Sequence, residues 1–184
     1  MSQNFAVKEL IKLARLRLKD EIAIVKRDFS DVLTELSVEE KAVIYWYSSN
    51  GYQGVNEMLR ESRGKKMPQL GVLLEIALSK LQSYNFFVFR GIRYTNSRIE
   101  KYKQALEHET PIIEYAFTST STRLETAYQF GQIILIIAPK NGKSIENISK
   151  FVIEREVLFT KGCQFMVLDI KQENNYYHIT LQEI

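Results

Sequence analysis

Two carboxylates, Glu154 and Glu156, interrupt an otherwise apolar run, FVIEREVLF. On an extended chain alternate side chains point to one side. The spacing therefore predicts that both acids share a face with Val152 and Leu158, their Cα atoms about 6.6 Å apart. The opposite face holds Phe151, Ile153, Val157 and Phe159, with Arg155 as the exception, and suits a strand in a sheet covered on both sides. Like charges this close, partly shielded from water, repel, and each raises the other's pKa above the reference of roughly 4.3. Such a pair calls for compensation or for a task. Carboxylates can shelter a developing cation, or take a proton from an incoming nucleophile. The ordinary alternative is an exposed edge strand whose glutamates face solvent.

Two further features could join them. Arg90 stands in an apolar strand pattern, FVFRG, where the following Gly91 lets a ligand approach the backbone. The segment IEYAF runs into a hydroxyl-rich stretch from Thr118 to Thr122 that contains Ser119. Taken singly, each has an ordinary account. A strand arginine pairs with a carboxylate, and hydroxyls cap helices or line turns. By the same standard Phe130 belongs to a core, and Asn56 and Arg60, four apart on a helix, belong to its surface.

The whole chain sets limits on these readings. Its 184 residues suit one domain with a sizeable core, and 45% hydrophobic with 26% charged residues mark it as globular. The single cysteine, Cys163, excludes an internal disulfide. With His108 and His178 the only histidines, no zinc-ligand cluster is available and no metal is expected. A net charge of +3 is modest for a protein built around a polyanion, and no aromatic-interleaved basic tract occurs. Lys8, Lys12, Arg15, Arg17 and Lys19 read as a solvated helix face. No apolar run spans a bilayer, and the first residues lack the apolar block of a secretion signal. The expectation is a chain made in a cytoplasm, with no membrane partner. Export by a machine that needs no cleaved signal, and origin as the excised end of a larger toxin, both stay open.

Helical patterns come first and strand patterns follow. Val7, Leu10, Ile11, Ala14 and Leu18 recur at helical spacing, and Ile22 and Val25 carry the face onward. Ser30 or Asp31 suits the cap of a short helix, and Ser37 with Glu40 is a capping-box signature opening another. Asn50-Gly51 reads as its stop. YQGVNEMLRE and the stretch 69–81 predict two more helices, separated by the basic turn SRGKKMP. From residue 86 the segments NFFVFRGIRY, IEYAFTSTS, GQIILIIAP, FVIEREVLF, CQFMVLDIKQ and NYYHITLQEI read as strands. SRIEKYKQALEH is a connecting helix or loop, and LETAYQFG a short helix. This order predicts an α+β chain forming one domain, 1–184. A helical lobe, 1–82, packs on a β-rich core, 83–184, with a ligand cleft between them.

In order, FRG, FTSTS and EREVLF resemble the Arg-Ser-Glu signature of the mono-ADP-ribosyltransferases. The resemblance extends to YSSNGYQGVNEMLR, FTSTSTRLETAYQFG and FVIEREVLFTKGCQFMV, covering roughly residues 37 to 170. It is to the arginine-modifying bacterial toxins and vertebrate ectoenzymes, though the signal and disulfide cysteines of the latter are absent. It implies an ADP-ribosyltransferase-like fold, a helical lobe on a mixed β-sandwich, and transfer of ADP-ribose from NAD to an arginine of a target protein. In this reading Glu156 stabilises the oxocarbenium-like sugar, Glu154 faces the acceptor, and Ser119 holds Glu156. Arg90 binds the pyrophosphate and Gly91 the nicotinamide amide. Phe130 stacks on the ring, Asn56 and Arg60 take the phosphate or adenosine end, and Phe151 recognises the target. Some relatives carry a further arginine after the stacking aromatic; here Gly131-Gln132-Ile133 follows. The resemblance also implies a neutralising immunity or antitoxin partner. NAD glycohydrolysis, a non-catalytic NAD-binding module and transfer to nucleic acid are the alternatives.

Overall fold

The computed structural model describes residues 3–184. The chain divides into two compact units, Met1–Gln82 with Ile145–Ile153, and Ser83–Ser144 with Glu154–Ile184. Among the described residues no helix is long and apolar enough to cross a membrane.

The first unit is built from helices α1 (Gln3–Arg17), α2 (Lys19–Asp28), α3 (Val38–Trp46), α4 (Tyr52–Glu61) and α5 (Gln69–Lys80). Their apolar faces bury Ala14, Val25, Ile44, Leu59, Leu73 and Leu78, the stripe that helical periodicity predicts. Ser37 opens α3 through a complete capping box: its Oγ accepts from Glu40 N at 3.2 Å while Glu40 Oε2 accepts from Ser37 N at 2.9 Å.

Two expectations are corrected in this unit. Ser30 and Asp31 cap no helix, because residues 29–36 form turns and bends. The carbonyls of Phe29 and Ser30 accept instead from the Lys41 ammonium, at 3.2 and 3.0 Å. Asn50-Gly51 does not stop the chain either. A π-helical turn, Tyr47–Gly51, leads directly into α4, with Gly51 in right-handed helical conformation. The glycine answers to packing, since a Cβ there would lie 2.5 Å from the Trp46 indole.

The second unit carries β1 (Val88–Ile92), α6 (Asn96–Glu107), β2 (Ile112–Glu114), β3 (Thr118–Ser121), α7 (Leu124–Phe130) and β4 (Ile133–Ala138). It continues with β5 (Lys143–Ser144), β6 (Glu156–Phe159), β7 (Cys163–Glu173) and β8 (Tyr176–Glu183). The ladder runs β2-β7-β8-β4-β1-β3-β6-β5. Its described pairs are antiparallel except β4 with β8, where the apolar run IILIIA is buried as a parallel neighbour requires. IEYAFTSTS is two strands rather than one. β2 pairs with β7 and β3 with β6, and the turn between them buries Ala116 and Phe117.

Phe159 of β6 and Phe165 of β7 meet edge to face, ring centroids 5.4 Å apart, although β8, β4, β1 and β3 lie between those strands in the ladder. The sheet therefore curls back on itself like a sandwich around Val88, Ile133, Ile137, Val157, Ile179 and Leu181. The α+β class and the β-sandwich core match the sequence pattern.

The opening segment departs from that pattern. Val152–Glu154 is a 3-10 turn, Arg155 is left-handed at φ 46°, and β6 begins only at Glu156. The partner strand sets the limit, because Ser121↔Glu156 is the last pair of the β3–β6 ladder. Phe151, Val152 and Ile153, expected in a covered strand, are 45%, 56% and 75% exposed.

Candidate active site

Ser119 is a node in the second unit. Its Oγ donates to Glu156 Oε1 at 2.6 Å, and its carbonyl accepts from Arg90 Nη1 at 2.5 Å. Three side chains drawn from β1, β3 and β6 thus meet at one residue. The strands explain why. β1 pairs with β3 at Phe89↔Ser121, a single described position, while it runs five positions against β4. β1 and β3 consequently part toward Gly91, and the Arg90 guanidinium bridges the opening.

Glu156 is 5% exposed, in a strand whose Val157, Leu158 and Phe159 are almost fully buried. A carboxylate there acts in a medium of low polarity, where its charge is worth more than in water. Thr120 Oγ1 donates to Val157 O at 2.7 Å, further tying β3 to β6.

Glu154 is held differently. Its carbonyl accepts from Ser121 Oγ at 2.6 Å, and the next carbonyl, that of Arg155, accepts from Thr122 N at 3.1 Å. The end of β3 therefore clasps the backbone of the turn and leaves the Glu154 side chain half-buried. Burial raises its pKa above the ordinary carboxylate value. The direction is the expected one, but its cause is desolvation rather than a second glutamate on the same strand face. The hydroxyls at 119 and 121 thus serve the two acids separately. The alternation in Thr118-Ser119-Thr120-Ser121 carried that signal, and the role of Ser121 escaped the sequence reading.

Gly91 answers to a neighbour within the protein. A Cβ on it would lie 1.7 Å from Ala127 O of α7 and 3.2 Å from Phe130 Cβ. Gly131 is constrained likewise, its absent Cβ 2.2 Å from Ile92 O. The close approach expected for a ligand is thus made, on this side, by α7. The contact fixes Phe130 beside β1 with its ring 53% exposed, so it is not the core residue of the ordinary account.

The remaining candidates lie in the helical unit. Asn56 is 6% exposed on α4, its Nδ2 donating to Tyr47 OH at 2.9 Å and its Oδ1 buried without a partner. A buried amide oxygen left without a donor is costly. Arg60, one turn on, is exposed, as is Phe151.

The family model described as NAD:arginine ADP-ribosyltransferase matches residues 1–184. Vis, from Vibrio splendidus (strain 12B01), is 27% identical over 91% of the chain and 77% of its own length. Mav, from Mycobacterium avium (strain 104), is 32% identical over 74% of the chain, which spans only 16% of that relative. Among solved structures, the ADP-ribosyltransferase HopU1 of Pseudomonas syringae pv. Tomato DC3000 superposes with a TM-score of 0.83 at 19% identity, covering 100% of this chain and 98% of that one. Exoenzyme S of Pseudomonas aeruginosa, solved with human 14-3-3 protein beta and carba-NAD, gives 0.77 at 20% identity over 97% and 88%. At these identities the structural likeness speaks for the fold.

Proposed function

The chain belongs to the NAD:arginine ADP-ribosyltransferase family, and from that premise we propose how its residues divide the reaction. The enzyme is an NAD-dependent transferase, moving ADP-ribose to an arginine with release of nicotinamide. The observation that carries the assignment of roles is the Ser119 node, with Glu156 on its hydroxyl and Arg90 on its carbonyl.

Cleavage of NAD breaks the bond between nicotinamide and ribose. The nicotinamide leaves neutral with the bonding electron pair, and the sugar develops positive charge. Glu156, dry and fixed by Ser119, stabilises that cation by charge and by a hydrogen bond to the sugar's 2-hydroxyl. Arg90 supplies a fixed positive charge for the pyrophosphate. The exposed ring of Phe130 offers a stacking face for the nicotinamide. The acceptor guanidinium is protonated at neutral pH and a poor nucleophile, so the carboxylate of Glu154 orients it and takes the proton released as the new C–N bond forms. Asn56 and Arg60 are assigned to the phosphate or adenosine end on the resemblance alone, and Phe151 to target recognition.

The acceptor is a protein, and the chain works as a bacterial toxin or effector. A direct test incubates the chain with NAD labelled in the adenylate and a cell lysate. Label that becomes bound to macromolecules, survives nuclease and is released by protease supports the proposal. Free labelled ADP-ribose alone would make the chain a glycohydrolase, and NAD bound without nicotinamide release would make it a binding module.

A further inference from the structure

Beside Phe130 the second unit holds a groove of about 390 Å³, lined by Arg93, Tyr94, Tyr128, Phe130, Gln132 and Tyr176 among others. Its chemistry is one-sided. Aromatic faces and amides form the walls, and among the described residues Arg93 is the one charged side chain that lines it, with no carboxylate. The ring of Phe130 remains open to solvent, while that of Tyr94, 41% exposed, stacks on Tyr177 with centroids 5.7 Å apart.

Arg93 is distinguished from the other arginines near β1. Arg90 is engaged with the Ser119 carbonyl. Arg98 donates to the backbone carbonyl of Arg93 at 2.8 Å, and Arg123 lies 3.8 Å from the Glu125 carboxylate. The Arg93 guanidinium, exposed at the end of β1, has no acidic partner among the described residues. Its backbone is held firmly all the same. The Arg93 nitrogen would lie 2.5 Å from a Cβ on Gly131, so residue 93 rests on the loop that presents Phe130. A free guanidinium on a fixed backbone, next to an exposed aromatic face and away from any acid, suits a flat ring joined to an anion.

We propose that Arg93 is a further donor-binding residue, contacting the diphosphate of NAD while Phe130 faces its nicotinamide. This rests on the transferase reading given above. NAD carries two phosphate charges, and a second guanidinium shares their neutralisation with Arg90. Gln132 Oε1 accepts from Tyr94 N at 3.3 Å and so ties the residue after Arg93 to the loop that follows Phe130. Neither Gln132 nor the fully buried Ile133 of β4 supplies a cation from the Phe130 loop itself.

The test is equilibrium binding to the full chain, which needs no turnover. Calorimetric titration of wild type, Arg93→Ala and Arg93→Lys with ADP-ribose should show the alanine variant weakened roughly ten- to a hundredfold. The lysine variant, keeping charge but losing the fork, should fall between. The nicotinamide constant for inhibition of NAD cleavage should stay within about twofold, which separates a diphosphate contact from general damage to the groove. Unchanged ADP-ribose affinity in a folded Arg93→Ala, or equal weakening toward nicotinamide, would overturn the inference. A wild type that binds ADP-ribose but never cleaves NAD fails the transferase reading and leaves the ADP-ribose comparison to decide this one.

Discussion

Glu156 and Glu154 are two residues apart, yet they stand in regions of opposite character. Glu156 opens a strand of four buried residues, paired on one side with β3 and fixed at its carboxylate by Ser119. Glu154 closes a 3-10 turn, follows three exposed apolar residues, and precedes a left-handed arginine. The difference matches two chemical demands. A sugar cation is the same in every turnover and is best met by a dry, preorganised charge. An acceptor arginine arrives on another molecule, and a carboxylate on an exposed turn can receive it, provided the backbone beneath is clasped, as Ser121 and Thr122 do.

Breaking the fixed side should cost most. Glu156→Gln keeps the size of the side chain and loses the charge, and nicotinamide release and transfer should both fall on the order of a thousandfold; wild-type release would refute the assignment. Ser119→Ala removes the 2.6 Å bond to Glu156, and a drop in kcat of roughly tenfold to a hundredfold follows from losing one charge-assisted hydrogen bond. NAD cleavage within twofold of wild type would leave Ser119 without a positioning role.

Smaller changes sharpen the exposed side. Ser121→Ala frees the Glu154 carbonyl from its hydroxyl, so transfer to arginine should fall by about tenfold while cleavage by water changes less; an equal loss in both would argue against separate anchoring. A pH profile tests the same separation. Because burial raises the folded pKa of Glu154, its basic form is lost as pH falls through a value above that of an ordinary glutamate. The acid limb of wild-type transfer should therefore lie above the titration range of an ordinary glutamate, while nicotinamide release to water in the same enzyme should not share that limb. By the same linkage, the stability Glu154 contributes is present below its unfolded pKa and is lost as pH rises through the folded one. Last, Arg155→Gly relieves a side chain held at positive φ, and thermal melting should show a gain of up to about 1 kcal/mol. A lower melting temperature would mean that the left-handed turn carries little strain.

The sequence showed much of this arrangement. Arginine, hydroxyl and acid types in the right order marked β1, β3 and β6, and the Ser37–Glu40 spacing gave the start of α3 directly. What it concealed depended on partners distant in the chain. Phe151-Val152-Ile153 has the composition of a strand, but β3 ends opposite Glu156, and an unpaired strand has nowhere to place its backbone bonds. Gly91 looked like an opening for a ligand because nothing local reveals that Ala127 O fills the space. Asn50-Gly51 has the composition of a turn, and only the Trp46 ring packed against Gly51 shows why the glycine is there. Local propensity is legible from residues alone, whereas the pairing that overrides it is not.

The division of labour between the two acids is tested most directly by one paired measurement on Glu154→Gln: nicotinamide released and ADP-ribose bound to arginine, from the same reaction. The account predicts that nicotinamide release to water persists while arginine labelling is lost. Labelling at the wild-type rate, or loss of both products together, would contradict it.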